Sequence, residues 1–221
     1  MYQNIPTKVL TGEVRLSYCN LTTPRASQQG GEPKYSVTML IPKSDTATKA
    51  DIDASIQAAV NEAVNKSWGG VRPPTIKDII HDGDSVRPSG LPYGPECKGH
   101  WVLTASTKNK PQVVGVDNIR TELAPTDIYS GMYARVTVNF YGYSNSGNKG
   151  IACGLGNVLK TRDGEPLSGG ASAEADFAGI GAQPVANAQV PYTPASNAQV
   201  PYTPAAQAPA AGVDPITGLP L

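Results

Sequence analysis

The chain has 221 residues, enough for one sizeable domain with extra segments or for two small domains. Its formal net charge of zero is unevenly spread: residues 1–162 hold all 18 Lys and Arg against 13 acids, net +5, while residues 163–221 hold five acids and no Lys or Arg. Three cysteines without CxxC spacing, an N-terminus (MYQNIPTKVL) with no apolar run, and no stretch near 18 consecutive apolar residues argue against a disulfide framework, a signal peptide and a membrane helix.

The expectation is therefore a soluble, intracellular chain with reduced thiols and no membrane partner. A mildly basic body with an acidic, lysine-free end fits a polyanion partner and a competing tail, or chance asymmetry in a neutral protein.

The first predicted strand is KVLTGEVRLSY, with Leu10, Val14, Leu16 and Tyr18 on one face and Thr11, Glu13, Arg15 and Ser17 on the other. A polar loop carrying Arg25 follows. Next comes KYSVTMLIPK, where Tyr35, Val37, Met39 and Ile41 alternate with Lys34, Ser36, Thr38 and Leu40. Two alternating strands in succession predict an antiparallel sheet with one wet face. After Pro42 the period changes. Asp45 or Thr46 can cap a helix whose Ile52, Ile56, Ala59, Val60, Ala63 and Val64 recur at helical spacing, and Trp68-Gly69-Gly70 ends it.

Residues 71–98 are rich in Pro and Gly, with an apolar piece at Ile76–Ile80 and a turn, His81-Asp82-Gly83-Asp84. HWVLTAST reads as a strand and QVVGVD as another. The segment 133–143, YARVTVNFYGY, is the most regular of all. Ala134, Val136, Val138, Phe140 and Gly142 form a buried face, and Tyr133, Arg135, Thr137, Asn139, Tyr141 and Tyr143 share the other. The turn SNSGN joins it to KGIACGLGNVLK as a hairpin. Roughly six strands with one inserted helix, not alternating as in a parallel α/β fold, predict an all-β barrel or sandwich.

Beyond Leu167 the composition shifts to Ala, Pro, Gly, Gln and Asn, and NAQVPYTPA occurs at 187–195 and again at 197–205. Such a repeat has too little apolar mass to stack, so residues 171–221 are expected to be a disordered tail behind a domain of residues 1–170.

Catalytic patterns are missing. There is no phosphate-binding G-x-x-x-x-G-K-[ST], no G-x-S-x-G and no H-E-x-x-H. Leu159 stands where Cys153-Gly154-Leu155-Gly156 would need its third glycine. His81-Asp82-Gly83-Asp84 is either an acid/base or metal cluster or a surface turn. Cys97-x-x-His100 offers two zinc ligands where such sites usually show four. A zinc hydrolase is thus the weakest reading, and neither a metal nor a cofactor is expected.

A groove for single-stranded nucleic acid needs cations along the backbone and flat π-faces for the bases. Tyr133, Tyr141, Tyr143 and Trp101 are the candidate stacking residues. Arg135, Lys34, Lys149, Lys160 and Arg162 are the candidate phosphate contacts, with Thr38, Lys108 and Lys110 on adjoining segments. The same tyrosines could instead stabilise cross-strand pairs. Basic residues near both ends of the strand favour binding.

The runs GEVRLSYCNL, GGEPKYSVTMLIPKSD, KSWGG, HDGD and above all IYSGMYARVTVNFYGYSNSGNKGIACGLGNVLKTRDGEPLSG resemble the phage single-stranded-DNA-binding proteins of the Enc34 type, the DUF2815 family. The resemblance covers residues 8–177. It implies an OB-fold-like barrel that coats single-stranded DNA in phage replication, recombination or repair, inside the bacterial host's cytoplasm. It admits phage or host replication and recombination proteins as further partners. It carries no residue-level binding map, and the chain departs from the strongly acidic tip common in such proteins, since VDPITGLPL has one acid. The rival reading is a structural or adaptor protein whose tyrosine face meets protein.

Glu174 and Asp176 flank Ala175 beside Phe177, just past a Gly-rich hinge, a segment that reads as docking on a basic groove in competition with DNA, as recruiting a partner protein, or as an ordinary solvated domain end. Truncation after Gly170 should leave the barrel folded and raise oligonucleotide affinity modestly at low salt, a gain that vanishes with screening. Truncation after Gly181 removes only Asp214 and should change little. Equal affinities for both truncations and the full chain at low salt would show that the acidic segment does not compete.

Overall fold

The computed structural model describes residues 4–26, 31–87, 89–145 and 147–167. The acidic segment, the duplicated repeat, the expected disordered tail and the domain boundary at 170 lie outside the described residues.

The strands are β1 (Lys8–Leu10), β2 (Val14–Arg25), β3 (Lys34–Pro42), β4 (Ile80–Asp82), β5 (His100–Thr107), β6 (Val113–Gly115), β7 (Asn118–Glu122), β8 (Tyr133–Asn145) and β9 (Asn148–Arg162). One helix, α1 (Thr46–Lys66), lies between β3 and β4. Five strands close on themselves in the order β2-β3-β5-β9-β8 and back to β2. All contacts in this ring are antiparallel except β5–β9, which pair in parallel at Ser106 and Gly154. Closure comes through Val14 opposite Ala134 and Arg15 opposite Tyr133. This is the OB-type barrel. β1 extends it along β8, β4 lies on β5, and the β6–β7 hairpin joins β9 through β6.

Alternation decides what faces inward. Ala134, Val136, Val138 and Phe140 of β8 are almost fully buried, as are Val37, Met39 and Ile41 of β3 and Leu103 and Ala105 of β5. Asp45 caps α1, its Oδ1 accepting the Thr48 N–H at 3.0 Å. Ile52, Ala59, Val60 and Ala63 carry the helix into the same core as Phe140 and Ile151. Close approach of α1 to β8 needs Gly142, because a Cβ there would lie 2.1 Å from the Ala63 Cβ. Gly69 and Gly70, with φ of 65° and 82°, end the helix in a left-handed turn. That turn buries Trp68, whose indole N–H donates to the Tyr143 carbonyl at 2.9 Å. Among the described residues no helix is long and apolar enough to cross a membrane.

Four details differ from the sequence reading. The first strand is broken at 11–13: Thr11 is buried, and its Oγ1 accepts the Val136 N–H while donating to Gly12 O. Tyr18 does not point inward, because β2 is irregular between Ser17 and Asn20 and Tyr18 takes φ of 48°. Leu40 is fully buried although its face is the outward one, since Cys97 and Tyr93 of the 83–99 segment fold over it and Val102. β7 had no sequence signal: all five residues of NIRTE are exposed and show no apolar alternation.

Gly142→Ala is expected to lower stability by about 1–3 kcal/mol, since the added methyl overpacks the α1–β8 contact. Urea unfolding measures this. An unchanged midpoint would mean that α1 shifts without cost.

Candidate nucleic-acid interface

The outward side of β8 carries the tyrosines because its inward side is filled with Ala, Val and Phe. Opposite them β9 supplies glycines. Tyr143 pairs with Gly150, where a Cβ would lie 2.6 Å from the tyrosine hydroxyl. Tyr141 lies over Gly154, whose Cβ would come within 3.4 Å of its ring. Each ring thus packs on one side against bare backbone and stays partly exposed, Tyr141 46% and Tyr143 38%. Residues i and i+2 of a strand lie about 7 Å apart on one face. Two π-platforms therefore stand side by side on a rigid hairpin.

Gly154 also joins this face to the rest of the barrel. It pairs with Ser106, Ser106 with Ser36, and Ser36 with Asn20, a row running from β9 across β5 and β3 to β2. Asn20 Nδ2 donates to Ser36 Oγ at 3.2 Å. A second row sets Ser17, Thr38 and Thr104 abreast, with 2.9 Å between the two threonine hydroxyls. At its edge Lys34 and Arg25 are direct cross-strand partners, both exposed, and neither makes an ion pair among the described residues. Like charges placed opposite each other repel. An anion between them relieves that.

The remaining predicted residues divide. Arg135 is exposed on the outward face of β8, with its Nε donating to Thr11 O at 3.0 Å. Tyr133 is already covered: the Arg162 guanidinium lies 3.4 Å from its ring centroid, and Gly164 packs against its edge. Arg162 itself is paired with Glu13 at 2.9 Å. The Thr161 hydroxyl, more than Arg162, holds the Glu13 carboxyl below its ordinary range. Lys160 is bound to Asp163 and donates to Asp127 O. Lys149 lies opposite Ser144, off the tyrosine side, and donates to Trp68 O at 2.9 Å. Trp101 shares the inward register of Ile41 and Leu103 and packs on the core, with the Lys43 and Lys49 ammoniums 5.0 and 4.9 Å from its ring centroid. Lys108 pairs with Glu32 and Lys110 with Glu122.

The structure leaves Lys34, Tyr141 and Tyr143 exposed, and Arg135 exposed with its Nε held by Thr11 O. It commits Trp101, Tyr133, Lys149, Lys160 and Arg162 to internal contacts. Sequence reasoning missed Arg25 as the partner of Lys34, and it missed the hydroxyl rows. Their signal was there, in Ser36 and Thr38 matched by Thr104 and Ser106 at period two.

The HDGD turn is a lysine clamp. Lys43 Nζ reaches Asp82 Oδ1 at 2.5 Å and Asp84 Oδ2 at 2.7 Å. His100 Nδ1 contacts Lys98 O, and Cys97 is buried. Burial raises all three thiols, that of Cys19 to about 12, so none is a ready nucleophile.

Hydrogen bonds from Lys43 hold the Asp82 and Asp84 carboxyls below their ordinary value, and the same bonds raise Lys43. Depressed carboxyls contribute stability above their unfolded-state pKa and lose it as pH falls through the folded one. The raised lysine loses its contribution only as pH climbs past its own range. The melting-temperature gap between wild type and Asp82→Asn/Asp84→Asn should therefore be flat from about pH 5 to 9 and close below about pH 4. A gap that persists in acid would mean that the clamp is not electrostatic.

The family model described as "Enterobacter phage Enc34, ssDNA-binding protein" matches residues 7–188. The chain is 33% identical over 180 residues to protein p50 of Acyrthosiphon pisum secondary endosymbiont phage 1, covering 76% of this chain and 91% of that one. Among solved structures, the single-stranded DNA-binding protein from bacteriophage Enc34 in complex with ssDNA matches with a TM-score of 0.61 at 33% identity, over 73% of this chain and 90% of that one. The gp2.5 single-stranded DNA-binding protein of bacteriophage T7 matches with a TM-score of 0.50 at 15% identity, over 80% of this chain and 97% of that one. The last is a likeness of fold alone.

Proposed function

The chain belongs to the family of the Enterobacter phage Enc34 ssDNA-binding protein, and we propose that it is a non-catalytic, sequence-tolerant single-stranded-DNA-binding protein acting in phage replication, recombination or repair in the host cytoplasm. The observation that carries this is the pair of open rings, Tyr141 and Tyr143, seated on Gly154 and Gly150. A ring already packed against backbone loses little freedom when a base stacks on its exposed side. Every base has a π-face, so such stacking tolerates any sequence.

Lys34, Arg25 and Arg135 meet phosphates. Tyr133 braces the barrel's closure, and Trp101 anchors the Lys43 clamp; neither stacks a base. The raised thiols give no support to covalent chemistry.

Tyr141→Ala should weaken binding to a single-stranded oligonucleotide by about 1–3 kcal/mol with little loss of stability. Removing Arg25 and Lys34 together should flatten the log–log salt dependence by about 0.7 per lost phosphate contact. If Tyr141→Ala lowers the melting temperature and leaves affinity untouched, the tyrosines are packing residues and the face belongs to a protein partner.

A further inference from the structure

We infer that the cleft beside Tyr18 takes one unstacked nucleobase of the bound strand, with Tyr18 as its platform and the Glu96 carboxylate as its reader. This rests on the single-stranded-DNA reading and adds a subsite to it.

Tyr18 adopts φ of 48°, a conformation that bulky residues rarely hold. The strand's alternation would send it inward with Leu16. The irregularity turns it out, and Leu21 takes the next fully buried place. Two contacts secure the distortion: Asn20 Nδ2 donates to Tyr18 O at 3.2 Å, and the Cys19 N–H donates to Ser130 Oγ at 3.1 Å. What the fold obtains is a ring 63% exposed at the lip of a cleft of about 470 Å³, large enough for a small-molecule-sized group. Ser17, Asn20, Arg25, Glu96 and Tyr129 line the rest.

The lining sets a cation at its edge for the flanking phosphate and a carboxylate that suits a base. Arg25 sits at the β2–β3 edge opposite Lys34. Glu96 presents a carboxylate, which repels phosphate and can only accept hydrogen bonds. It therefore favours a group with an exposed amino function, as cytosine, adenine and guanine have and thymine lacks. The cleft is also on the strand's route. Asn20, in its wall, begins the row through Ser36 and Ser106 to Gly154 beneath Tyr141. Three interstrand steps of about 4.8 Å each put the two sites about 14 Å apart along the barrel surface.

The test compares oligo-dC and oligo-dT of equal length on the full chain at one fixed salt concentration, by fluorescence anisotropy. Glu96→Ala should weaken dC relative to dT, lowering the ratio Kd(dT)/Kd(dC) roughly 3- to 10-fold from its wild-type value. Tyr18→Ala should weaken both oligonucleotides about fivefold or more, and Tyr18→Phe should retain the binding. A ratio unchanged by Glu96→Ala overturns the proposal, as does wild-type affinity in Tyr18→Ala. If those variants are silent while Tyr141→Ala loses affinity, the cleft alone is refuted. If the wild-type chain binds neither oligonucleotide, the single-stranded-DNA reading fails with it.

Discussion

Strand β8 must pair on both edges, and the rest of the molecule depends on that. β9 runs along one edge, and β1 and β2 share the other. With no free edge to solvate, the strand has only its two faces to distribute. The inner face is filled by Ala134, Val136, Val138 and Phe140. Every side chain with a polar or aromatic task is thereby sent outward. Closure of the ring and placement of Tyr141 and Tyr143 are one event, because a one-residue slip would exchange the two faces.

Glycine on β9 completes that arrangement. Gly in a strand interior weakens it, having no side chain to pack and more backbone freedom to lose. Here Gly150 and Gly154 receive tyrosine rings from the neighbouring strand, as aromatics do when they rescue a glycine across a sheet. The rings recover part of the lost burial and gain a fixed orientation. Gly164 plays the same part for Tyr133, but there Arg162 also lies on the ring. The three tyrosines of one strand face therefore divide into a closed one and two open ones. The division follows from what β9 and its continuation place beside each ring.

This explains how much was readable from the sequence. Strict period-two alternation in β3 and β8 and helical spacing in α1 report burial directly, so those elements and their inward faces were legible. The tyrosine face was legible for the same reason. Trp101, Lys149 and Lys160 were not. Residue type says what a side chain can do, whereas its availability is set by partners distant in sequence, here Lys43 and Lys49, the Trp68 carbonyl, and Asp127 with the nearby Asp163. Tyr18 was misread because a single left-handed residue reverses the register and leaves no mark in the pattern. β7 was invisible because a fully exposed hairpin strand has no apolar face to alternate.

Electrostatics divides along the same line. Lys43, Lys160 and Arg162 are spent within the fold, each against carboxylates that would otherwise add negative charge to the surface. Arg25 and Lys34 face each other instead, at the edge of the hydroxyl rows. Two cations paired across a ladder cost stability in the free protein, and a bridging anion removes that cost. On the proposed reading the repulsion is held where a phosphate would relieve it, so that binding would regain what folding gave up. The proposed stacking at Tyr141 and Tyr143 would then need only a few phosphate contacts beside it. A chain of zero net charge can present such a surface because residues 1–162 carry five more cations than acids, and the balancing acids come after them in the sequence.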